Sequence, residues 1–459
     1  MRTLLLLGVL LVLAVVGHRL GLSRARKLKR TGKGLHSLPG YYGVYVALWC
    51  ALPALLVLVG WLALEGTVVE SLVVASLPAE VSELPPERLE LLMNDVKNLA
   101  AGGIASREAD PVLLGAANHY RSLRQVGSAS LAVVVLLLGL GGLTWAFRRV
   151  VPQMPAIRKV EKAVKALLLA GSLVAIFTTL GIVLSLLFEA IRFFGRVPIS
   201  EFLFGLNWSP QTALRADQVG SSGSFGAVPL FTGTLLISAI AMAVAVPVGL
   251  FSAIYMSEYA SRRMRNILKP LLEILAGIPT VVYGFFAALT VAPVLRGWGE
   301  TIGLDVASES ALAAGAVMGI MIIPFVSSIS DDVISAVPQG LRQASLGLGA
   351  TRSETVRRVV LPAALPGIVG GILLAVSRAI GETMIVVMAA GLAANLSANP
   401  LEAVTTVTVQ IVTLLVGDQE FDSAKTLSAF ALGLALFVIT LIFNVVALHV
   451  VRRYREQYE

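Results

Sequence analysis

Two charged residues, Arg378 and Glu382, interrupt an otherwise uncharged run from Val359 to Ala394. A charge at the centre of a membrane helix costs about 2.5–3.5 kcal/mol, so such residues usually face a protein interior or a water-filled path. Residues four apart stack on one helix face, and we therefore expect both side chains on a single face. The arginine could hold an anion there, with the small neighbours Ser377 and Gly381 leaving room for it. A buried ion pair that only fixes helix packing is the alternative.

Residues 338–362 have the pattern of two short helices joined by a glycine turn. The first helix has an apolar face formed by Leu341, Ala344 and Leu348, and the glycines of the turn are Gly347 and Gly349. Thr351 can cap the second helix, whose apolar face is formed by Val356, Val359 and Val360. Pro362 is expected to end the second helix. A hairpin this short cannot span a bilayer, but it suits docking into a groove on a soluble partner. An ordinary loop at the membrane surface is the alternative.

Other polar residues and prolines are predicted to have structural roles. Glu273, Asp331 and Asp332 lie near the ends of apolar runs, where we expect interfacial charges. Pro279 should kink its helix and free a backbone carbonyl. Pro247 and Pro324 are expected to do the same.

The sequence lacks the usual catalytic and metal-binding patterns. It contains no GxxxxGKS or GxxxxGKT nucleotide loop, no HExxH, no CxxC and no GxSxG. We therefore expect no catalysis by this chain, no metal site and no cofactor bound to it. Cys50 is the single cysteine, so no disulfide can form within the chain.

Membrane helices must position these residues. Of 459 residues, 56% are hydrophobic and only 14% are charged, with a mean hydropathy of +0.84. The charged share is about half that of a soluble domain, which indicates an all-α polytopic membrane protein. The net charge of +8 could indicate nucleic-acid binding. Its concentration in alternate loops is instead a topology signal, and we expect no nucleic-acid partner.

Nine runs are apolar enough to be predicted as membrane spans, each needing about 20 residues. They are Thr3–His18, Tyr41–Leu64, Gln125–Phe147, Ala166–Phe188, a helix from about Pro229 to Ser257, Ile274–Leu295, Ser310–Ser330, Val359–Ala394 and Thr426–Val451. The first could be the apolar region of a signal peptide. No small-residue cleavage site follows it, so we expect it to be retained.

The charges predict the orientation. Lys and Arg concentrate in 18–40, 148–165, 259–269, 337–365 and the C-terminal tail. Acidic residues occupy the alternate loops: Glu80, Glu83, Glu87, Glu90 and Asp95 in 65–127, and Asp418, Glu420 and Asp422 near the end. Because cytoplasmic loops collect basic residues, the N-terminus is predicted outside and the C-terminus in the cytoplasm. Residues 1–150 are predicted to form a three-span extension with an extracytoplasmic loop at 65–127, followed by a basic linker at 151–165 and a six-span core at 166–459.

The hairpin resembles the EAA signature of ABC-importer permeases. The matching residues are Gln343-Ala344-Ser345, Gly349, Val359 and Leu361-Pro362, with Gln343 where the family has glutamate. Four further stretches resemble the phosphate-specific PstC family: 231–249, Gly277–Gly284, Ile322–Pro324 and Ser377–Met384. The resemblance covers roughly 166–455, and residues 1–150 fall outside it.

The resemblance implies a type I importer permease of the inner membrane, with a six-helix core, that carries inorganic phosphate. The implied partners are a PstA-like second permease, two PstB-like ATPases that bind ATP and Mg²⁺, an extracytoplasmic PstS-like phosphate-binding protein, and membrane lipid. Arg378, Glu382, Ser377 and Thr383 would line the substrate path. Gln343, Ala344, Ser345, Gly349, Leu361 and Pro362 would couple the chain to the ATPase. The alternatives are a permease for another oxyanion such as phosphonate, molybdate or sulfate, a stand-alone secondary transporter or channel, and a membrane sensor.

Overall fold

A computed structural model of the chain describes residues 2–31, 34–78, 85–103, 111–212, 222–416 and 422–455. Four acidic residues used in the topology prediction, Glu80, Glu83, Asp418 and Glu420, lie outside this part of the chain. The chain divides into two compact units, Met1–Phe177 and Thr178–Glu459.

The first unit is built from long helices. Its elements are α1 (Arg2–Arg30), α2 (Pro39–Ala75), α3 (Pro86–Ala100), α4 (Pro111–Arg148) and the first part of α5 (Ala156–Phe194). The division between the units falls within α5, and residues 156–165 of the predicted linker are helical.

The second unit continues α5 and adds a small sheet to ten further helices in the described residues. The helices are α6 (Ile199–Phe204), α7 (Val228–Tyr259), α8 (Arg262–Gly277), α9 (Thr280–Thr301), α10 (Ala311–Ala336), α11 (Gln339–Gly347), α12 (Arg352–Ile380), α13 (Met384–Ala389), α14 (Val407–Leu415) and α15 (Ala424–Arg455). Strands β1 (Trp208–Thr212) and β2 (Ser222–Phe225) pair antiparallel, with Trp208 opposite Phe225. This antiparallel pair was not predicted from the sequence.

The all-α class and the number of spans are confirmed. Nine helices of the described residues are long and apolar enough to cross a membrane: α1, α2, α4, α5, α7, α9, α10, α12 and α15. Several extend beyond the predicted apolar runs, since α2 continues to Ala75 and α4 begins at Pro111. The acidic segment between them is therefore largely helical, and Val73 of α2, Val96 of α3 and Leu113 of α4 share one buried cluster.

Two predicted spans have wrong boundaries. The run Ile274–Leu295 is not one helix, because α8 ends at Gly277 and α9 begins at Thr280, after Pro279. The Tyr283 hydroxyl donates to the Leu275 carbonyl at 2.9 Å, which supplies a partner for a backbone oxygen freed at this break. The run Val359–Ala394 is likewise divided, with α12 ending at Ile380 and α13 starting at Met384.

Pro362 does not end its helix, contrary to the prediction. A single π-helical turn, Val356–Val360, precedes it, and the Leu361 N–H donates to the Val356 carbonyl five residues back. The same arrangement, Ala287–Val291, precedes Pro293 in α9. A π turn shifts the hydrogen-bond register, which lets a helix continue past a residue that has no N–H. Pro247 and Pro324 also lie inside continuous helices.

Each unit has its own buried core. In the first unit, α2 and α4 approach closely at Gly142, where an added Cβ would lie 2.0 Å from the Trp49 carbonyl oxygen. The thiol of Cys50 is buried in the same region and is free. In the second unit, α7 and α10 form the centre, with Ile237 and Met318 fully buried between small residues.

Candidate functional site

Helix α8 is attached to the core through a buried carboxylate on α10. Asp331 is 1% exposed, and both of its carboxylate oxygens accept from Arg265 Nη2, at 3.0 and 2.9 Å. Lys269 Nζ adds a third contact at 3.5 Å. Asp331 is thus buried in an ion pair near the end of α10, whereas Asp332 is 70% exposed and lies 3.9 Å from Lys269.

A cavity of about 310 Å³ lies between α8, α10 and the C-terminal end of α12. Its polar and aromatic lining comes from Lys269 and Glu273 of α8, Phe325, Ser328 and Asp331 of α10, and Arg378 of α12. The apolar part includes Leu272, Met321 and Pro324. A cavity with apolar walls and a few converging charged groups is a typical binding site for a small ligand.

Arg378 reaches this cavity without a carboxylate partner among the described residues. Its Nη2 lies 3.7 Å from the Met321 sulfur, and the guanidinium carbon lies 5.8 Å from the centre of the Phe325 ring. Both contacts are weak compared with an ion pair. The planar N–H groups of Arg378 are thus available to an oxyanion that enters the cavity.

Glu382 does not stack on Arg378, and the prediction of one shared helix face is wrong. Helix α12 ends at Ile380, so Glu382 and Thr383 lie in the break before α13. The Glu382 carboxylate accepts from the Met384 N–H at 3.2 Å, and its backbone carbonyl accepts from the Thr408 hydroxyl at 2.8 Å. Glu382 therefore stabilises the break itself. The Thr383 hydroxyl donates to the Gly381 carbonyl at 3.3 Å in the same turn.

Ser377 lies next to Arg378 in sequence but contacts a different helix. Its hydroxyl lies 3.4 Å from Asn444 Oδ1 of α15. This bond links α12 to the last span. Of the four residues predicted for the substrate path, Arg378 alone is among those lining the cavity between α8, α10 and α12.

The predicted glycine-turn hairpin is present at residues 339–362. Gly349 has φ +89°, a conformation that other residues adopt only with strain. The Thr351 hydroxyl accepts from the Glu354 N–H at 3.3 Å, and the Glu354 carboxylate accepts from the Thr351 N–H at 2.9 Å. This capping box starts the second helix as predicted. The hydroxyls of Ser345 and Thr355 lie 2.9 Å apart and join the two helices.

Arg342 fixes the first hairpin helix to the membrane core. Its Nη1 donates to the Val337 carbonyl at 2.8 Å, and its Nη2 donates to the Ile334 carbonyl at 2.7 Å and to the Glu258 carboxylate at 2.9 Å. The two carbonyls are at the end of α10 and the carboxylate is at the end of α7. Arg342 therefore connects three helices.

The first hairpin helix and the turn carry exposed apolar side chains. Leu348 at the turn is 91% exposed, and Leu341 and Leu346 are also exposed. Gln343 and Ala344 lie on the same short helix, which has no buried residue. Exposed apolar side chains on a short helix that Arg342 holds against the core have the form of a docking surface.

Several residues at these contacts were not predicted from the sequence. Met321 and Phe325 are ordinary apolar residues in sequence, and nothing in their pattern indicates that they contact an arginine. Asn444 could have been found as an isolated amide within the last apolar run. From the sequence, Arg342 was only one of the basic residues of 337–365, and Glu258 was not singled out.

Two family models match the chain. One, described as "Phosphate ATP-binding cassette transporter", matches residues 7–178. The other, "Binding-protein-dependent transport system inner membrane component", matches residues 245–456 and includes the hairpin and Arg378.

Several relatives are named as ABC-transporter or phosphate-transport permeases. The "Phosphate transport system permease protein PstC 1" of Mycobacterium tuberculosis is 33% identical over 322 residues, covering 64% of this chain and 95% of the relative. The chain belongs to the PstC family of ABC-transporter permeases. The PstC protein of Mesorhizobium japonicum is 33% identical over 271 residues, covering 55% of this chain and 78% of the relative. The "Probable ABC transporter permease protein YqgH" of Bacillus subtilis is 31% identical over 243 residues, covering 53% and 74%.

Membership of the PstC family confirms the resemblance stated from the sequence motifs. The first family model also covers most of residues 1–150. The sequence motifs had shown no resemblance in that part of the chain. This PstC-family chain is a multi-pass membrane protein and a subunit of an ABC transport system.

Proposed function

We propose that the chain is the permease subunit through which an ABC importer carries inorganic phosphate. In this proposal it pairs with a PstA-like permease, two PstB-like ATPases bind ATP and Mg²⁺, and a PstS-like protein delivers phosphate from outside. The chain itself performs no covalent chemistry and binds no cofactor. The names of its relatives support phosphate as the substrate.

The observation that carries the proposal is the guanidinium of Arg378, which lines a cavity without forming an ion pair in the described residues. An anion that leaves water for a low-dielectric path needs compensating charge. Arginine provides a permanent charge and paired N–H donors that match phosphate oxygens. The neighbouring cation Lys269 is already bonded to Asp331, so Arg378 is the group that would hold the anion.

Glu382, Ser377 and Thr383 support Arg378 by positioning it. Glu382 and Thr383 form the turn that ends α12 just after the arginine, and Ser377 links that helix end to Asn444. A fixed helix end would keep the guanidinium directed at the cavity. We infer that these three residues act through Arg378 and do not contact phosphate.

The hairpin is proposed to receive the ATPase. Gln343, Ala344, Ser345 and Gly349 belong to its exposed helix and turn, while Leu361 and Pro362 join its second helix to the span that carries Arg378. A movement of the hairpin would therefore be transmitted along α12. We also propose the bacterial inner membrane as location, with the N-terminus outside and the C-terminus cytoplasmic, because the basic segments alternate with acidic ones.

Phosphate uptake by cells or proteoliposomes containing the complete complex tests the proposal. Arg378→Gln should abolish uptake while the complex still assembles, and Arg378→Lys should retain part of it. Arg296→Gln is the matched control, because Arg296 is exposed and forms only an i,i+4 pair with Glu300. Uptake near the wild-type rate by a well-assembled Arg378→Gln complex would remove Arg378 from the substrate path.

Competition by other oxyanions distinguishes the rival substrate classes. Unlabelled phosphate should suppress uptake of labelled phosphate, whereas phosphonate, molybdate and sulfate at the same concentration should not. If one of these anions is taken up faster than phosphate, that anion is the transported substrate and the phosphate assignment is wrong.

A further inference from the structure

A groove of about 630 Å³ opens on the first unit, at the end where α2 begins and α4 ends. Helices α2, α4 and the start of α5 form its walls. None of its residues belongs to the cavity at Arg378 or to the hairpin, and the proposed transport function does not use it. Its lining divides into an apolar half and a cationic half.

The apolar half is a stripe along α2. Leu48, Leu52 and Leu56 recur every four residues and line the groove together with Pro53. Leu56 is 66% exposed. From Tyr45 to Leu56 the stripe is about 16 Å long at 1.5 Å per residue, which is the length of a substantial part of one acyl chain.

The cationic half lies beside aromatic rings at one end of this stripe. The guanidinium carbon of Arg149 lies 4.4 Å from the Trp145 ring centre, and the Lys159 ammonium lies 5.5 Å from the Tyr45 ring centre. Trp145 packs edge-on against Trp49 at 4.8 Å. Lys162 adds a third cation to the lining.

These three cations have no acidic counterpart at the groove. The groove lining contains no carboxylate, and Arg149, Lys159 and Lys162 form no ion pair in the described residues. Aromatic faces hold the cations in place but do not neutralise them. The groove therefore presents about three positive charges next to an apolar channel.

We propose that this groove binds an anionic phospholipid. Its phosphate would lie among Arg149, Lys159 and Lys162, and one acyl chain would follow Leu48, Leu52 and Leu56. Basic grooves between membrane helices are suited to acidic headgroups, and tryptophan and tyrosine are suited to the interface between headgroups and hydrocarbon. The amphiphilic lining matches a lipid better than a free anion, because a free anion would leave the leucine stripe unused.

Native mass spectrometry of the full chain tests this proposal. The protein is purified from vesicles of equimolar phosphatidylglycerol and phosphatidylcholine, and the ratio of the two retained lipids is measured. The triple variant Arg149→Gln/Lys159→Gln/Lys162→Gln should lose the preference for phosphatidylglycerol, by about five-fold for each cation removed. Size-exclusion chromatography and circular dichroism check that the variant is folded.

A second triple variant separates a built site from general surface charge. Arg148→Gln/Arg158→Gln/Lys165→Gln removes the same charge from exposed neighbours that do not line the groove, and it should retain the wild-type lipid ratio. Equal losses in the two triple variants, or no loss in the first, would overturn the proposal. Displacement of the lipid by millimolar inorganic phosphate would also overturn it, since the occupant would then be a free anion.

Discussion

The Arg342 guanidinium lies 2.9 Å from the Glu258 carboxylate, with only 11% and 10% of the two side chains exposed. The pair joins the exposed hairpin helix to the end of α7. Arg342 also satisfies two carbonyls at the end of α10. One side chain thus links the hairpin to two helices of the core.

We expect Arg342→Met to destabilise the protein by about 3–5 kcal/mol, because removing one partner leaves a buried charge uncompensated. The apparent melting temperature of the detergent-solubilised protein measures the loss, and copurification with the ATPase measures the effect on docking. The double variant Arg342→Met/Glu258→Met should recover part of the stability. A double variant no more stable than Arg342→Met would show that the ion pair is not the cause.

The turn of the hairpin offers two glycines for comparison. Neither Gly347 nor Gly349 has an atom within 4 Å of an added Cβ, but only Gly349 has a positive φ. Gly349→Ala should therefore cost about 1–2 kcal/mol and lower the phosphate transported per ATP hydrolysed, whereas Gly347→Ala should not. Gly349→Asn should retain more coupling than Gly349→Ala, because asparagine tolerates the left-handed region. Equal coupling in all three variants would contradict a role for the turn conformation.

Substitutions at two adjacent aspartates are expected to affect stability differently. Asp331 is buried and bonded to Arg265, while Asp332 is largely exposed. Asp331→Asn should lower stability by about 1.5–3 kcal/mol and increase protease cleavage within α8, because it weakens charged hydrogen bonds. Asp332→Asn should change stability by less than about 0.5 kcal/mol. Similar melting temperatures for the two variants would mean that α8 does not depend on Asp331.

The second unit should assemble without most of the first. A chain beginning at Pro155 retains the whole of α5, which starts at Ala156 and continues into the second unit at Thr178. We expect this truncated chain to enter the membrane and copurify with the ATPase. Membrane fractionation and affinity purification provide the measurement. Failure of insertion would show that the core needs the preceding spans.

The glycine-turn hairpin was predictable because its signals are local. A glycine between the two helices, a capping threonine with glutamate three residues later, and apolar residues at helical spacing all lie within residues 339–362. Its attachment through Arg342 was not predictable, since Glu258 is 84 residues away.

The break after Ile380, in contrast, could not be predicted from local sequence signals. Composition indicates one apolar run through Arg378 and Glu382, and helical spacing then predicts that they stack. The chain instead turns at Gly381, and the Thr408 hydroxyl, 26 residues later, bonds the Glu382 carbonyl. The stabilising contact is tertiary, so a pattern confined to residues 359–394 could not predict it. The π turn before Pro362 was missed for a different reason, because proline usually signals a helix end.

The burial of Cys50 has a practical consequence for spectroscopy. It is the sole cysteine of the sequence, and its side chain is fully buried. A maleimide or methanethiosulfonate reagent should therefore leave the natural chain unlabelled, and no cysteine needs to be removed beforehand. Leu348→Cys would place one reactive thiol at a highly exposed point of the hairpin. A single spin label or fluorophore there would report changes in the surroundings of the hairpin during turnover, without a signal from any other site on the chain.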